Sequence, residues 1–161
     1  GRAHCDGVEA LSPVMNCANI PVEVQETQNP IRIHRFEMIE DSAGAGQYRG
    51  GCGVRKDVEM LNSSTTLSLL SDRHKYQPYG VFGGEPGQLA ETILNPDGNA
   101  EPLGSKEMRE LKQGDVVSYR LAGAGGYGDP KDRDPQAVRD DVADGYVSAK
   151  AAAETYGVDV E

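Results

Sequence analysis

The sequence contains no tryptophan and only two phenylalanines, so its core must be built mainly from aliphatic side chains. Basic residues are also scarce, because 16 Lys and Arg stand against 26 Asp and Glu, a formal net charge of −10. Binding to nucleic-acid phosphates or to anionic lipids requires clusters of Lys and Arg, so this balance argues against both kinds of partner. No apolar run approaches the length of about 18 residues that a membrane-spanning helix needs.

Several motifs of catalytic and metal sites are also missing. The sequence has no HExxH, EF-hand or Gly-x-Ser-x-Gly motif, no Walker lysine and no dinucleotide fingerprint. The three cysteines and three histidines are too scattered for a zinc site, and we predict no metal bound by this chain. No signal peptide is visible, so the odd cysteine count predicts reduced thiols in a cytoplasmic protein. The chain begins with a glycine instead of a methionine, so we expect a processed, tagged or excised piece, or a numbering that begins inside a gene.

Glycine, by contrast, is abundant, and it is clustered. Thirteen of the 20 glycines lie in three windows, residues 44–53, 80–87 and 123–128. Consecutive glycines allow backbone N–H groups to converge on an anion or a developing oxyanion. Glycines also serve tight turns and bulges between short strands. The spacing alone leaves both interpretations open.

Short alternating apolar patterns predict a mainly β protein with two short C-terminal helices, α+β overall, built as a sandwich or a barrel. The apolar phase of one strand shifts between Ile33 and Phe36, which predicts a bulge. The segment 65–70 is almost entirely β-branched or aliphatic and predicts a central strand. Segment 105–111 fits a strand or a helical turn. The remaining predicted strands are 21–25, 31–39, 54–61, 89–94 and 116–121, with turns at 95–98 and 112–115.

The last residues change in character. Asp134 and Pro135 are suited to begin a helix that ends at Gly145, and Ser148 begins a second helix that ends at Gly157. We therefore divide the chain into a glycine-rich β domain, residues 1–128, and an acidic helical tail, residues 129–161. Because such short helices are not stable alone, the tail must pack on the β domain or on a partner.

Residues 41–53 resemble the DSxGxGxxRGGxG segment of the hydantoinase B/oxoprolinase family. Other segments resemble the family in the same order along essentially the whole chain. They are 19–23, 72–73, 80–84 with Gly87, 95–98, 105–106, 114–115, 125–130, 133–135, 141–142, 145, 147–148 and 156–158. One departure is Ala124, since the family usually has four consecutive glycines there after a Thr-Pro pair.

The resemblance implies the C-terminal portion of a B-type subunit in a cytoplasmic, heteromeric, ATP-dependent hydrolase of cyclic amides, or in a related acetone or acetophenone carboxylase. Its expected partners are the rest of the B subunit, a small cyclic amide substrate and a hydantoinase A-type subunit. ATP and Mg²⁺ would bind to that A-type subunit, with no cofactor on this chain. The isolated chain is then expected to be inactive.

The candidate catalytic residues on this interpretation are Asp41, Arg49, Arg73 and Lys106. Arg49 and Arg73 would hold anionic oxygens, Asp41 would orient an arginine or act as a base, and Lys106 would neutralise a phosphorylated intermediate. The residues expected to line a substrate or oxyanion loop are Ser42, Gly44, Gly46, Gly50 and Gly51. Two alternatives remain: a non-catalytic domain that scaffolds such an assembly, and a stand-alone ligand-binding β-sandwich.

Overall fold

The computed structural model describes residues 1–10 and 19–160, and the thiol predicted for Cys17 lies outside this part of the chain. Seven strands provide most of the regular structure, which confirms the mainly β class. They are β1 (Ile31–Met38), β2 (Val54–Met60), β3 (Ser64–Leu70), β4 (Glu91–Leu94), β5 (Glu101–Leu103), β6 (Lys106–Lys112) and β7 (Val116–Arg120).

The strands form two antiparallel sheets. The larger sheet has the order β1-β2-β7-β4-β5, and the smaller one pairs β3 with β6. Within β1 the pairing to β2 shifts between Ile33 and Arg35, which confirms the predicted bulge. The hydrophobic core lies between the sheets and includes Val117, which is fully buried on β7, and Leu111, which is 1% exposed on β6. Two sheets that share one core correspond to the sandwich alternative.

The prediction of a strand at residues 21–25 is wrong, because this segment begins helix α1 (Val22–Gln28). Pro21 precedes the helix, and good helix formers such as Glu23 and Gln25 follow it. The Gln25 side-chain amide also donates to the Ile20 carbonyl at 2.6 Å. No side chain of α1 is buried. Its two valines therefore make no core contact that would favour a strand over a helix.

Segment 65–70 is a strand, β3, but it is not central. Among the residues that the structure describes it pairs with β6 alone, and Leu69 is its single buried residue, whereas Leu70 is 82% exposed. Thr66 and Ser68, which looked β-prone, are exposed on the outer face of the small sheet, whereas Thr65 is half-buried on the face of Leu69. Segment 105–111, for which two alternatives were open, is the strand β6 that pairs with it.

The predicted tail helices are confirmed. Helix α2 (Pro135–Ala143) begins at Asp134, whose carboxylate accepts from the Gln136 N–H at 2.9 Å. Helix α3 (Ala149–Ala151) begins at Ser148, continues through a π-helical turn (Ala152–Tyr156), and ends at Gly157 with φ +71°. A short 3₁₀ turn (Pro130–Asp132) precedes both helices.

The tail contributes a second hydrophobic cluster. Val138 and Ala152 are fully buried in it and pack with Ala45 of the first glycine window. The apolar faces of the short helices therefore pack mainly on each other and contact the glycine-rich part of the chain at Ala45. No helix within residues 1–10 and 19–160 has the length and hydrophobicity to cross a membrane.

Candidate functional site

The three glycine windows pack directly against one another, backbone on backbone. The Gly44 N–H donates to the Ala124 carbonyl at 2.8 Å, and the Val81 N–H donates to the Gly126 carbonyl at 3.0 Å. A Cβ atom at Gly44 or Gly126 would collide with the main chain of a neighbouring window. The clustering therefore reflects close backbone approach between segments distant in sequence, in addition to turn formation.

We call the region where the three glycine windows pack together the glycine junction. Much of the hydrogen-bonding capacity of the first window is used within it. The Gly50 N–H donates to the Gly44 carbonyl at 2.9 Å, and the Gly53 N–H donates to the Ser42 Oγ at 2.8 Å. A Cβ at Gly46 would lie 2.6 Å from the Tyr127 nitrogen, and one at Gly51 would lie 2.7 Å from the Val8 carbonyl oxygen. An oxyanion role for this loop stays a prediction.

A buried ionic cluster, formed by Asp6, Glu9, Arg49, Arg133 and Asp141, lies beside the glycine junction. Arg133 is 5% exposed and donates from Nη1 and Nη2 to the two carboxylate oxygens of Asp6, at 2.7 and 2.9 Å. Its Nη2 also donates to Asp141 Oδ2 at 2.6 Å. Arg133 thus joins the N-terminal segment to helix α2, two regions more than a hundred residues apart in the chain.

Arg49 is the second cation of the ionic cluster and is 4% exposed. Its Nη1 donates to Glu9 Oε1 and to the Gly50 carbonyl, both at 2.7 Å, and its Nε lies 3.2 Å from Asp141 Oδ1. The guanidinium carbon lies 4.8 Å from the centre of the Tyr146 ring, within cation–π range. Glu9 is held in turn by the Cys52 N–H.

The surroundings of Asp6 and Arg49 favour the charged form of each group. Burial acts to raise the pKa of Asp6, but the hydrogen bonds and charge of Arg133 hold it below its ordinary value. Burial also acts to lower the pKa of Arg49, yet the hydrogen bond to Glu9 and the charge of Asp141 raise it above its ordinary value. Burial raises the pKa of the neighbouring Cys52 thiol to about 11. Two cations and three carboxylates therefore neutralise one another to within one charge.

Ser42 and Asp41 fix the start of the first glycine window. Ser42 is 1% exposed and its hydroxyl donates to the Ile39 carbonyl at 2.6 Å. Asp41 has φ +57°, and its Oδ1 accepts from the Ser148 N–H at 2.8 Å at the beginning of α3. Both side chains thus have a positioning role in the fold.

Asp41 also lies at the edge of a cleft of about 300 Å³ between the first glycine window and the tail. The cleft is lined by polar groups that include Glu85, Lys150 and Glu154. Arg49 is absent from its lining, since its side chain faces the ionic cluster.

Arg73 and Lys106 lie in another place, at the end of the small sheet. Arg73 follows β3 and has φ +63°, while Lys106 begins β6 and lies 3.3 Å from the Asp72 carboxylate. Both members of this ion pair are exposed, so it contributes little to stability. The structure therefore groups Arg73 with Lys106, and Asp41 with the first glycine window. It does not bring the four candidate catalytic residues into one cleft.

Sequence reasoning missed four of the five residues in the ionic cluster. Asp6 and Glu9 lie near the start of the chain, and Arg133 lies between two aspartates, a context typical of a solvated surface. Asp141 did carry a signal, because it is three residues from Val138 and shares the apolar face of α2. An acid on an apolar helix face indicates a buried partner.

No group of three or more His, Cys, Asp or Glu side chains within residues 1–10 and 19–160 is arranged to hold a metal ion. The ionic cluster does not form such a group, because its carboxylates are directed at two guanidinium groups.

The fold and the glycine junction define a β-rich domain of two antiparallel sheets with a docked helical tail. The profile of the hydantoinase B/oxoprolinase family matches residues 1–130, and the chain belongs to this family. An uncharacterized protein of Methanocaldococcus jannaschii is 42% identical over 88% of the chain and 25% of its own length. The caprolactamase subunit beta of Pseudomonas jessenii is 32% identical over 87% of the chain and 25% of its length.

Two solved structures share the fold. The ATP-dependent caprolactamase of Pseudomonas jessenii superimposes with a TM-score of 0.75 at 29% identity, over 88% of this chain and 25% of that one. A nucleotide-free acetone carboxylase superimposes with a TM-score of 0.84 at 24% identity, over 99% of this chain and 26% of that one. The chain thus spans about a quarter of the length of these relatives.

Proposed function

We propose that this chain is the C-terminal part of the B-type subunit of an ATP-dependent, cytoplasmic enzyme that opens a cyclic amide. The observation that carries the proposal is the likeness in both sequence and fold to the ATP-dependent caprolactamase. Caprolactam is a cyclic amide, and the name of that relative as a subunit beta supports a heteromeric assembly.

The partner in this proposal is an A-type subunit that binds ATP and Mg²⁺ and phosphorylates the amide oxygen. Phosphorylation of the oxygen removes the amide resonance and makes the ring carbon more electrophilic, which attack by water on an unstrained amide requires. The present chain would act after this step, on an intermediate that carries at least one phosphoryl charge. Side chains that contact it should therefore be cationic or should transfer protons.

Within this scheme the predicted site residues divide by location. Arg73 and Lys106, which are both exposed, are available to bind the anionic oxygens of the intermediate. Arg49 is engaged with Glu9 and Asp141, so we assign it to positioning the glycine junction. Asp41 lies at a cleft and retains one carboxylate oxygen beyond its bond to Ser148, which permits a proton-transfer role.

The test is reconstitution of the full-length subunit with an A-type partner. Caprolactam, 5-oxoproline and hydantoin are each incubated with ATP and Mg²⁺, and the ring-opened product is measured. We expect ATP-dependent opening of at least one ring. Acetone consumption in the presence of bicarbonate, with no ring opened, would contradict the hydrolase and favour a carboxylase.

A second candidate function is a scaffold without catalytic groups. The ionic cluster favours it, because its charged groups contact each other and the main chain rather than an open cleft. The discriminating variants are Arg73→Ala and Lys106→Ala, both at exposed positions where folding should be preserved. Full ring-opening activity in both variants would favour the scaffold.

A further inference from the structure

The segment that follows β3 is an anchored loop with a hydroxyl–imidazole pair. The Ser71 N–H donates to the Ser105 carbonyl at 2.8 Å, and the Ala90 N–H donates to the Arg73 carbonyl at 3.0 Å. Between these anchors Arg73 has φ +63°, a conformation that is unfavourable for a residue with a Cβ atom. The surrounding hydrogen bonds therefore hold the loop in a conformation that Arg73 would not adopt by itself.

Ser71 and His74 meet within this loop. The Ser71 Oγ lies 2.7 Å from the His74 Nε2, and both residues are half-buried. With the proton of the imidazole on Nδ1, the Ser71 hydroxyl donates to Nε2, which is the arrangement of a hydroxyl beside a general base. The contact links the start and the end of a short loop and holds the ring in place.

The pair opens onto a cleft of about 340 Å³ with cationic walls. Its lining includes Ser71 and His74 together with Arg73 and Lys75. The one acid in the lining, Asp72, lies 3.3 Å from Lys106 and so already has a cationic partner. Within the described residues, no carboxylate is within ion-pair distance of the Arg73 guanidinium. The cleft thus combines unneutralised positive charge with an imidazole that can accept a proton.

We propose that this cleft is the site where the phosphorylated amide is opened, with His74 as general base. The proposal rests on the proposed function, since it requires an ATP-activated ring. Arg73 and Lys75 hold the phosphoryl oxygens, while Ser71 positions the imidazole and the water that attacks. Lys106 lies outside the lining of the cleft, where it pairs with Asp72.

The chemical step needs no reactant other than the phosphorylated ring and water. The oxygen of one water forms a bond to the phosphorylated ring carbon and gives a proton to Ser71 Oγ, while the Ser71 hydroxyl proton passes to His74 Nε2. The carbon–nitrogen bond then breaks with its electron pair on nitrogen. The ring nitrogen takes up both protons of the water, carried in turn by His74. The products are an open-chain amine and an acyl phosphate, which a second water hydrolyses to carboxylate and phosphate.

The first test compares His74→Gln with wild type in the reconstituted assembly. Loss of a general base should reduce the ring-opening rate by roughly 100- to 10,000-fold. His74→Gly should regain activity when imidazole is added, a rescue that a purely structural histidine would not show. His34→Gln is the matched control, because His34 lies on β1, is exposed and is hydrogen-bonded to Glu59. A His74→Gln rate equal to that of wild type, or a His74→Gly variant that imidazole does not rescue, would overturn the assignment.

A second measurement does not depend on turnover. Diethylpyrocarbonate acylates accessible imidazoles, and peptide mass spectrometry reports the rate at each histidine of the full-length subunit. Inorganic phosphate should protect His74 and leave the rate at His34 unchanged. Equal protection by acetate at the same ionic strength, or no protection by phosphate, would overturn the phosphoryl site. A wild-type assembly that opens no ring would instead contradict the proposed function.

Discussion

The ionic cluster makes a quantitative prediction at Arg133. Replacement by methionine keeps most of the side-chain volume but removes three hydrogen bonds to carboxylates, two to Asp6 and one to Asp141. Breaking a buried pair by removing one partner costs about 3–5 kcal/mol, because the remaining charge is left buried. The lower end applies here, for two structural reasons. Asp141 keeps Arg49 within 3.2 Å, and the Asp6 side chain is 36% exposed.

We therefore expect Arg133→Met to lower the free energy of unfolding by about 3 kcal/mol. For a chain of this length that corresponds to a fall in Tm of about 6–12 °C. The effect should depend on pH. The pKa of Asp6 is held below its unfolded value, so the stability it contributes is present above the unfolded pKa of about 3.9 and is lost as pH falls through the folded pKa. The difference between wild type and variant should accordingly shrink below about pH 4.

The assay is urea unfolding followed by circular dichroism, at pH 7 and at several acidic values. Arg139→Met is the matched control, because Arg139 is an exposed arginine on α2, the helix that carries the Arg133 partner Asp141. Surface substitutions of this kind usually change stability by less than about 0.5 kcal/mol. A change at Arg133 no larger than that at Arg139, or a difference that grows as the pH falls, would refute the reasoning.

Three further predictions concern the fold around the site. Gly126→Ala should destabilise the chain strongly, because the new Cβ meets the Ala45 carbonyl, whereas Gly98→Ala should be tolerated; thermal melts of both variants check this. The Cys52 thiol, with its pKa raised to about 11 by burial, should resist iodoacetamide at pH 8 until urea unfolds the chain, and rapid labelling in the native state would contradict the burial. Ser148→Ala should cost about 1 kcal/mol of unfolding free energy through loss of the helix cap, and urea titration showing no change would contradict that role.

Local rules predicted the parts of this fold that local interactions determine. The caps at Asp134 and Ser148, the turn at 112–115 and the bulge in β1 were all predicted correctly. In each case the signal lies within a few residues of the feature. The strand prediction for 21–25 failed because it rested on two valines that are not buried in the core. Without core contacts to favour a strand, the helix-forming residues around them determine the local structure. The position of β3 within a sheet was not accessible, because sheet order depends on pairings between distant segments.

The glycine windows and the ionic cluster also combine features that are visible locally with features that depend on distant segments. The positions of the glycines are plain in the sequence, but their purpose depends on which backbone each one meets. Arg49 was identified through the family resemblance, whereas its partners Glu9 and Asp141 come from opposite ends of the chain. Only the folded backbone brings them together, and no periodicity or spacing encodes that approach. The hydroxyl–imidazole pair of Ser71 and His74 is local, yet its significance emerges only from the cleft around it.

We have proposed that this chain belongs to an assembly that couples ATP cleavage to ring opening. The most direct test counts ADP and ring-opened product in the same reaction, with the complete assembly and with each subunit omitted. We predict one ring opened for each ADP formed, and no product when either subunit is absent. Ring opening that proceeds at the same rate without the subunit containing this chain would contradict the account.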